Sequence, residues 1–171
     1  EYLKKIKSIS KIYSFEPQIE IYNKTLKKYY SDNRIILNNL ALSSNTEDKI
    51  FFINALSSTS SFSILDKDSL WLKIKNIILN EKDSIKDSII LKTSTIDKYV
   101  NENNINIIDL LKIDTEGHEL EVLMGSQKTI KENKVKYILI ELHSSKMYKN
   151  YSKIKIEQFL KNNNFILMKS F

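Results

Sequence analysis

An open, mostly parallel α/β sheet with helices on both faces is the architecture this sequence predicts. Short apolar runs alternate along the chain with segments of helical periodicity, the pattern of an α/β domain. Ile107 to Ile113 is almost continuously apolar, as expected of a strand covered on both faces of a parallel sheet. The predicted strands also end in polar residues: Glu16, Asn39, Asp114 and His143. Parallel crossovers would bring these residues to one edge, where open α/β sheets bind ligands.

Taken in order, residues 1–9 put Leu3 and Ile6 on one face and read as the end of a helix. Lys11 to Phe15 alternates into a strand that stops at Glu16, because Pro17 favours extended geometry in the residue before it. Ile21, Tyr22, Leu26 and Tyr29 have helical spacing. Strands follow at Arg34 to Leu37 and, peripherally, at Lys49 to Ile53. The serine-rich stretch 57–63 reads as a mobile surface loop. Leu70, Trp71, Ile74 and Ile78 suggest a helix, Ile89 to Leu91 a strand and Thr95 to Asn101 a short helix. After Asp114, a helix is expected from Glu116 onward, with Thr115 as its cap, Leu120, Leu123 and Met124 as its apolar stripe, and Gly125 as a left-handed stop. Tyr137 to Leu142 reads as a second buried strand, Ile156, Phe159 and Leu160 as a last helix, and Phe165 to Met168 as a last strand. No repeat or linker interrupts 1–171, which predicts one domain.

Composition narrows the function. The 171 residues are enough to bury roughly 70% of the unfolded surface. No run of 18 apolar residues is present, so no membrane-spanning helix is expected; a cytoplasmic location is the expectation. The chain begins at Glu1 rather than Met, which leaves room for a removed targeting peptide. Without cysteine there is no disulfide, thiolate zinc site or cysteine nucleophile. The net charge of +6 comes almost entirely from lysines scattered among acids, with Arg34 the lone arginine. Nucleic-acid sites favour clustered arginines, so a nucleic-acid partner is not expected. The richness in Lys, Asn and Ile reads as base-composition bias. Against that bias the two glycines, Gly117 and Gly125, gain weight as positions that backbone geometry demands.

Three groups of residues could carry chemistry. Glu16 ends a strand in the place from which an acid accepts hydrogen bonds from ribose hydroxyls. Such an acid lies about 20 residues beyond a glycine-rich loop, yet only 15 residues precede Glu16 and none is glycine. The sequence is therefore expected to start inside its domain. Asp114 through Glu119 packs three carboxylates and a histidine into a strand-to-helix junction. The helix dipole explains Glu116 and Glu119, but not Gly117, nor an acid at the end of a buried strand. His118 is expected on the helix surface. Glu141 and His143, two apart on a strand, could point the same way, and His143 could serve as a base or simply be hydrogen-bonded at the sheet edge.

The run Leu110-Leu111-Lys112-Ile113-Asp114-Thr115-Glu116-Gly117-His118-Glu119-Leu120-Glu121-Val122-Leu123-Met124-Gly125 resembles the signature of the FkbM-type S-adenosylmethionine-dependent methyltransferases. Tyr13 to Pro17, Asn39 to Ser43 and Tyr137 to His143 resemble that family's second-strand, third-strand and fifth-strand segments, in order. The glycine-rich first motif is absent, and the chain stops where a final antiparallel strand is expected. The resemblance implies a Rossmann-like class I methyltransferase fold lacking its first and last strands. It also implies S-adenosylmethionine as cofactor and O-methylation of a small molecule or glycan. By position, Glu16 would hold the cofactor ribose, Leu40 and Ala41 would border the adenine, and Asp114 would lie near the methionine end or the acceptor. Glu116 and His143 would stand on the acceptor side.

Methyl transfer to a hydroxyl requires alignment and a group that raises the oxygen's nucleophilicity. Asp114, Glu116 or His143 could remove its proton. Alternatively, Asp114 and Glu116 could share a Mg²⁺. Two other readings remain open: a non-catalytic Rossmann-like module, and a nucleotide-sugar or NAD enzyme on the same fold. Neither the acceptor nor the oligomeric state is readable from the sequence.

Overall fold

A computed structural model of the chain describes residues 9–54, 60–64, 66, 85–143 and 147–168. It divides into two compact units, Glu1–Leu42 and Ser43–Phe171. The helices expected over residues 1–9 (but for Ile9) and around Leu70 to Ile78 lie outside the described residues, as does the start of the serine-rich stretch.

The first unit is a β–α–β arrangement. Strand β1 (Ile12–Phe15) leads through Glu16-Pro17 into helix α1 (Ile19–Tyr29), and β2 (Ile35–Asn38) returns parallel to β1 with Phe15 opposite Asn38. The parallel register brings Glu16 and Asn39 to the same end, as expected. The corner is closed by polar contacts: the Asn39 side-chain amide donates to the carbonyls of Glu16 (2.9 Å) and Pro17 (3.0 Å). Helix α1 buries none of its residues completely; Ile21, Tyr22 and Tyr29 are half-buried, whereas Leu26 is exposed. A two-residue strand, β3 (Ala41–Leu42), ends this unit, with Ala41 buried and Leu40 half-buried.

The second unit holds β4 (Asp48–Asn54) and β5 (Ile85–Ser94), α2 (Ile96–Glu102), β6 (Ile108–Ile113), α3 (Glu119–Met124), α4 (Gln127–Lys131), β7 (Val135–Ile140) and α5 (Lys153–Asn162). Thr95 caps α2 by accepting from the Lys98 amide at 3.0 Å. β6 and β7 are parallel, with Ile113 opposite Ile140, so Asp114 and Glu141 leave at the same end. The core gathers Ile113, Val122, Leu123, Ile130, Val135 and Ile156. Asp97 joins α2 to the start of α4 by accepting from the Lys128 amide (2.9 Å), the Thr129 amide (2.7 Å) and the Thr129 hydroxyl (2.6 Å).

Four expectations need correction. β4 and β5 pair antiparallel, because β5 is a long strand that folds back along β4 rather than entering a crossover. The β6–β7 pair is not covered on both faces among the described residues: Leu110, Tyr137 and Leu139 are 40%, 56% and 43% exposed. Phe165 to Met168 forms no strand; Ile166, Leu167 and Met168 are all more than 80% exposed, with no ladder partner among the described residues. Gly125 is not left-handed, having φ −70. It must be glycine for another reason: an added Cβ would lie 2.1 Å from the Ser43 carbonyl oxygen.

Candidate functional site

The loop between β6 and α3 is the most elaborately supported segment of the second unit. Glu116 (φ 54) and Gly117 (φ 92) adopt consecutive left-handed conformations, which delays the helix to Glu119, three residues later than the sequence suggests. For the glutamate this conformation costs of order 1–2 kcal/mol, so the surroundings must enforce it. The enforcing group is Glu119. Its side chain is fully buried, and Oε1 accepts from the Thr115 amide (3.1 Å), the Thr115 hydroxyl (3.2 Å) and the Gly117 amide (3.0 Å). Thr115 is therefore not the helix cap. It is a donor to a carboxylate folded back from the helix's first residue. Burial raises the Glu119 carboxyl above its ordinary range, while these donors and His143 pull it the other way.

Two further segments clamp the loop. Ser61 donates to the Thr115 carbonyl (3.0 Å) and Ser63 to the Gly117 carbonyl (2.7 Å). Ser61 is buried and bridges to Phe52 in both directions, so the described part of the serine-rich stretch is a tether rather than a mobile surface loop. From the other side comes Tyr148, 1% exposed, whose hydroxyl donates to Glu116 Oε2. A Cβ at Gly117 would sit 2.6 Å from the Tyr148 ring. The close neighbour that demands Gly117 is thus this aromatic ring. Burial, followed by the hydrogen bond to Glu116, raises the Tyr148 phenol far above its usual range.

The candidate catalytic residues occupy different environments. Asp114 is exposed and accepts from Lys112 Nζ at 2.6 Å, a pairing that accounts for a charge at the strand end. Glu116 is half-buried and engaged by Tyr148. His143 is nearly enclosed, its side chain 9% exposed, with Nε2 3.7 Å from Glu119 Oε1. The Tyr151 hydroxyl accepts from the His143 amide at 2.9 Å, and the Tyr148 and Tyr151 rings stand edgewise to the imidazole. Glu141 is exposed, so it does not share His143's surroundings; β7 has already ended at Ile140. Among the described residues there is no group of three or more His, Asp or Glu side chains suited to a metal ion. The two carboxylates considered for Mg²⁺ are each already engaged, by Lys112 and by Tyr148.

His118 is not on the surface. It is 4% exposed, with Nε2 3.0 Å from the Ser43 hydroxyl, Nδ1 3.6 Å from Glu121 Oε2, and the Phe62 ring against it. Burial and nearby Lys49 lower its pKa to about 3, so the ring is neutral at physiological pH. Serine, histidine and acid stand here in the order of a hydrolase triad. Ser43 is 0% exposed, however, and no substrate carbonyl can reach it. This cluster holds the loop from below.

In the first unit, Glu16 is half-buried at the carboxyl end of β1, with Oε1 accepting from the Gln18 amide at 2.8 Å. Burial raises its carboxyl above the ordinary value, and that hydrogen bond opposes the shift. The sequence missed Glu119, Tyr148, Ser61 and Ser63. Only Glu119, the third carboxylate in six residues, left a signal that could have been weighed differently.

Parallel strand pairs with helices, ending in Glu16 in one unit and in Asp114 in the other, define a mixed α/β protein consistent with a methyltransferase-like fold. The chain belongs to the FkbM methyltransferase domain family, whose model matches residues 2–167. It is similar to hexuronic acid methyltransferase AglP of Haloferax volcanii, with 32% identity over 73 residues, which are 43% of this chain and 30% of that protein. No solved structure matches. Among the described residues, no helix is long and apolar enough to cross a membrane.

Proposed function

We propose that this chain is part of an S-adenosylmethionine-dependent O-methyltransferase acting on a glycan or small-molecule hydroxyl, with a uronic acid sugar as the first acceptor class to test. The family match over residues 2–167 carries this reading, and the hexuronic acid methyltransferase relative suggests the acceptor. In this reading residues 1–171 form a single Rossmann-like class I methyltransferase domain. Glu16 supports the cofactor reading: it presents a half-buried carboxylate at a strand's carboxyl end, the position suited to accepting from ribose hydroxyls. Leu40 and Ala41 border the adenine, and Asp114 lies towards the methionine end or the acceptor. Bound S-adenosylmethionine supplies an electrophilic methyl group. Glu116 and His143 act on the acceptor side, where a hydroxyl must be aligned and deprotonated.

Calorimetric titration of the gene product with S-adenosylhomocysteine tests the reading. Binding is expected, with Glu16→Ala weakening it by roughly 10- to 100-fold, the equivalent of hydrogen bonds to a charged group. A wild-type protein that does not bind defeats the proposal and favours a non-catalytic module. Turnover that survives exhaustive EDTA treatment excludes a required Mg²⁺.

A further inference from the structure

His143 and Glu119 each hold a buried polar atom without a hydrogen-bond partner: His143 Nε2 and Glu119 Oε2. The two side chains face each other, with Nε2 3.7 Å from Glu119 Oε1. Leaving such atoms unpaired costs about 1–3 kcal/mol each, so the fold keeps them for a reason. The distance is longer than a hydrogen bond but within ion-pair reach, and catalytic contacts commonly tighten only once ligands are bound. Burial raises the Glu119 carboxyl, and the donors from Thr115 and Gly117 on Oε1, with the facing imidazole, oppose that shift and favour the carboxylate form. A carboxylate facing Nε2 favours the tautomer with the proton on Nε2, which leaves the lone pair on Nδ1. Nδ1 has no hydrogen-bond partner among the described residues, and since Nε2 is enclosed, the side chain's 9% exposure lies elsewhere on it. Asp114 and Glu116, the other two candidate bases, are already engaged by Lys112 and Tyr148.

We propose that Glu119 and His143 form a carboxylate–imidazole pair in which Glu119 is a positioning residue and His143 Nδ1 is the base for the acceptor hydroxyl. This rests on the methyltransferase reading above. The proton passes from the acceptor oxygen to Nδ1 while that oxygen's lone pair takes the methyl of the sulfonium donor, whose S–C bond pair stays on sulfur. The imidazolium so formed is stabilised by Glu119 and returns its proton to solvent. Among the described residues, the ionisable groups facing the imidazole are Glu119 from α3 and Tyr148 and Tyr151 from the segment after β7, with Glu116 behind Tyr148.

The test pairs a tautomer measurement with kinetics. Nitrogen NMR of the neutral His143 ring is expected to show the proton on Nε2. Glu119→Gln keeps an oxygen at the Oε1 position, bonded to the Thr115 and Gly117 amides and facing Nε2, but removes the negative charge beside the imidazole. It should lower kcat by roughly 10²-fold or more with little change in KM, because the imidazolium formed on His143 loses the charge that stabilises it. A wild-type ring protonated on Nδ1, or a Glu119→Gln enzyme with an unchanged rate, overturns the proposal. Because the wild-type spectrum suffices for the first outcome, failure of the variant to fold leaves the test intact. Failure of the methyltransferase reading shows separately, as absent S-adenosylhomocysteine binding with an unchanged ring spectrum.

Discussion

The loop after β1 and the loop after β6 each carry acidic residues beyond a parallel strand, but they use them differently. After β1, Glu16 makes one local hydrogen bond, to the Gln18 amide, and the corner is held by the neutral amide of Asn39. After β6, Glu119 takes three donors, Glu116 takes the Tyr148 hydroxyl and Asp114 takes Lys112. The first loop keeps its carboxylate lightly committed. The second spends its carboxylates on its own shape. An acid-rich strand end is therefore no guide by itself to ligand binding, because burial and partner count decide which carboxylate remains available.

Substitutions can break or sharpen this contrast. The largest effect is expected at Gly125→Ala, behind the second loop, where the new Cβ would meet the Ser43 carbonyl at 2.1 Å. Backbone cannot yield as a side chain does, so a loss of more than about 4 kcal/mol, or failure to accumulate folded protein, should appear in urea unfolding. Glu119→Ala comes next. It strands two half-buried amides and a hydroxyl around an emptied buried site and should cost about 3–5 kcal/mol by the same measurement. A cost below about 1 kcal/mol would mean that the second loop does not depend on its carboxylate.

The third prediction concerns pH. An unfolded histidine titrates near 6.5 and folded His118 near 3, so between those values the unfolded chain binds the extra proton. Stability from neutral His118 is fully present above pH 6.5 and lost as pH falls toward 3, at about 1.4 kcal/mol per unit. Melting temperature should drop between pH 7 and pH 5, and His118→Gln should flatten that drop; an equal drop in the variant would place the titrating group elsewhere. The smallest effect belongs to Glu16→Ala, which forfeits one hydrogen bond and relieves a half-buried charge. Its stability should change by no more than about 1 kcal/mol. A cost matching that of Glu119→Ala would erase the difference between the two loops.

What could be read from the sequence was whatever depends on neighbours along the chain. Pro17 after Glu16 placed the end of β1, Thr95 placed the start of α2, and the run to Ile113 located β6. What could not be read depends on partners far away in sequence. Gly125 looks like a helix stop until Ser43 is seen beside it, more than 80 positions earlier. His118 sits where a surface residue would, until Ser43 and Phe62 enclose it. Alternation announces a strand but not its direction, which is why the antiparallel pairing of β4 with β5 was missed. Glu119 misled for a different reason: the helix dipole was a sufficient local explanation, and it hid a carboxylate that turns back to organise the preceding turn.

The close fit of Tyr148 on Gly117, with its hydroxyl on Glu116, has a consequence for anyone wishing to transplant this chemistry. The signature run looks like a portable cassette of sixteen residues, but its shape is written in three places: the run itself, the serines at 61 and 63, and the tyrosine at 148. Grafted alone into a related scaffold, it should relax into an ordinary helix start at Glu116. Moved together with both companions, it should keep its kinked form.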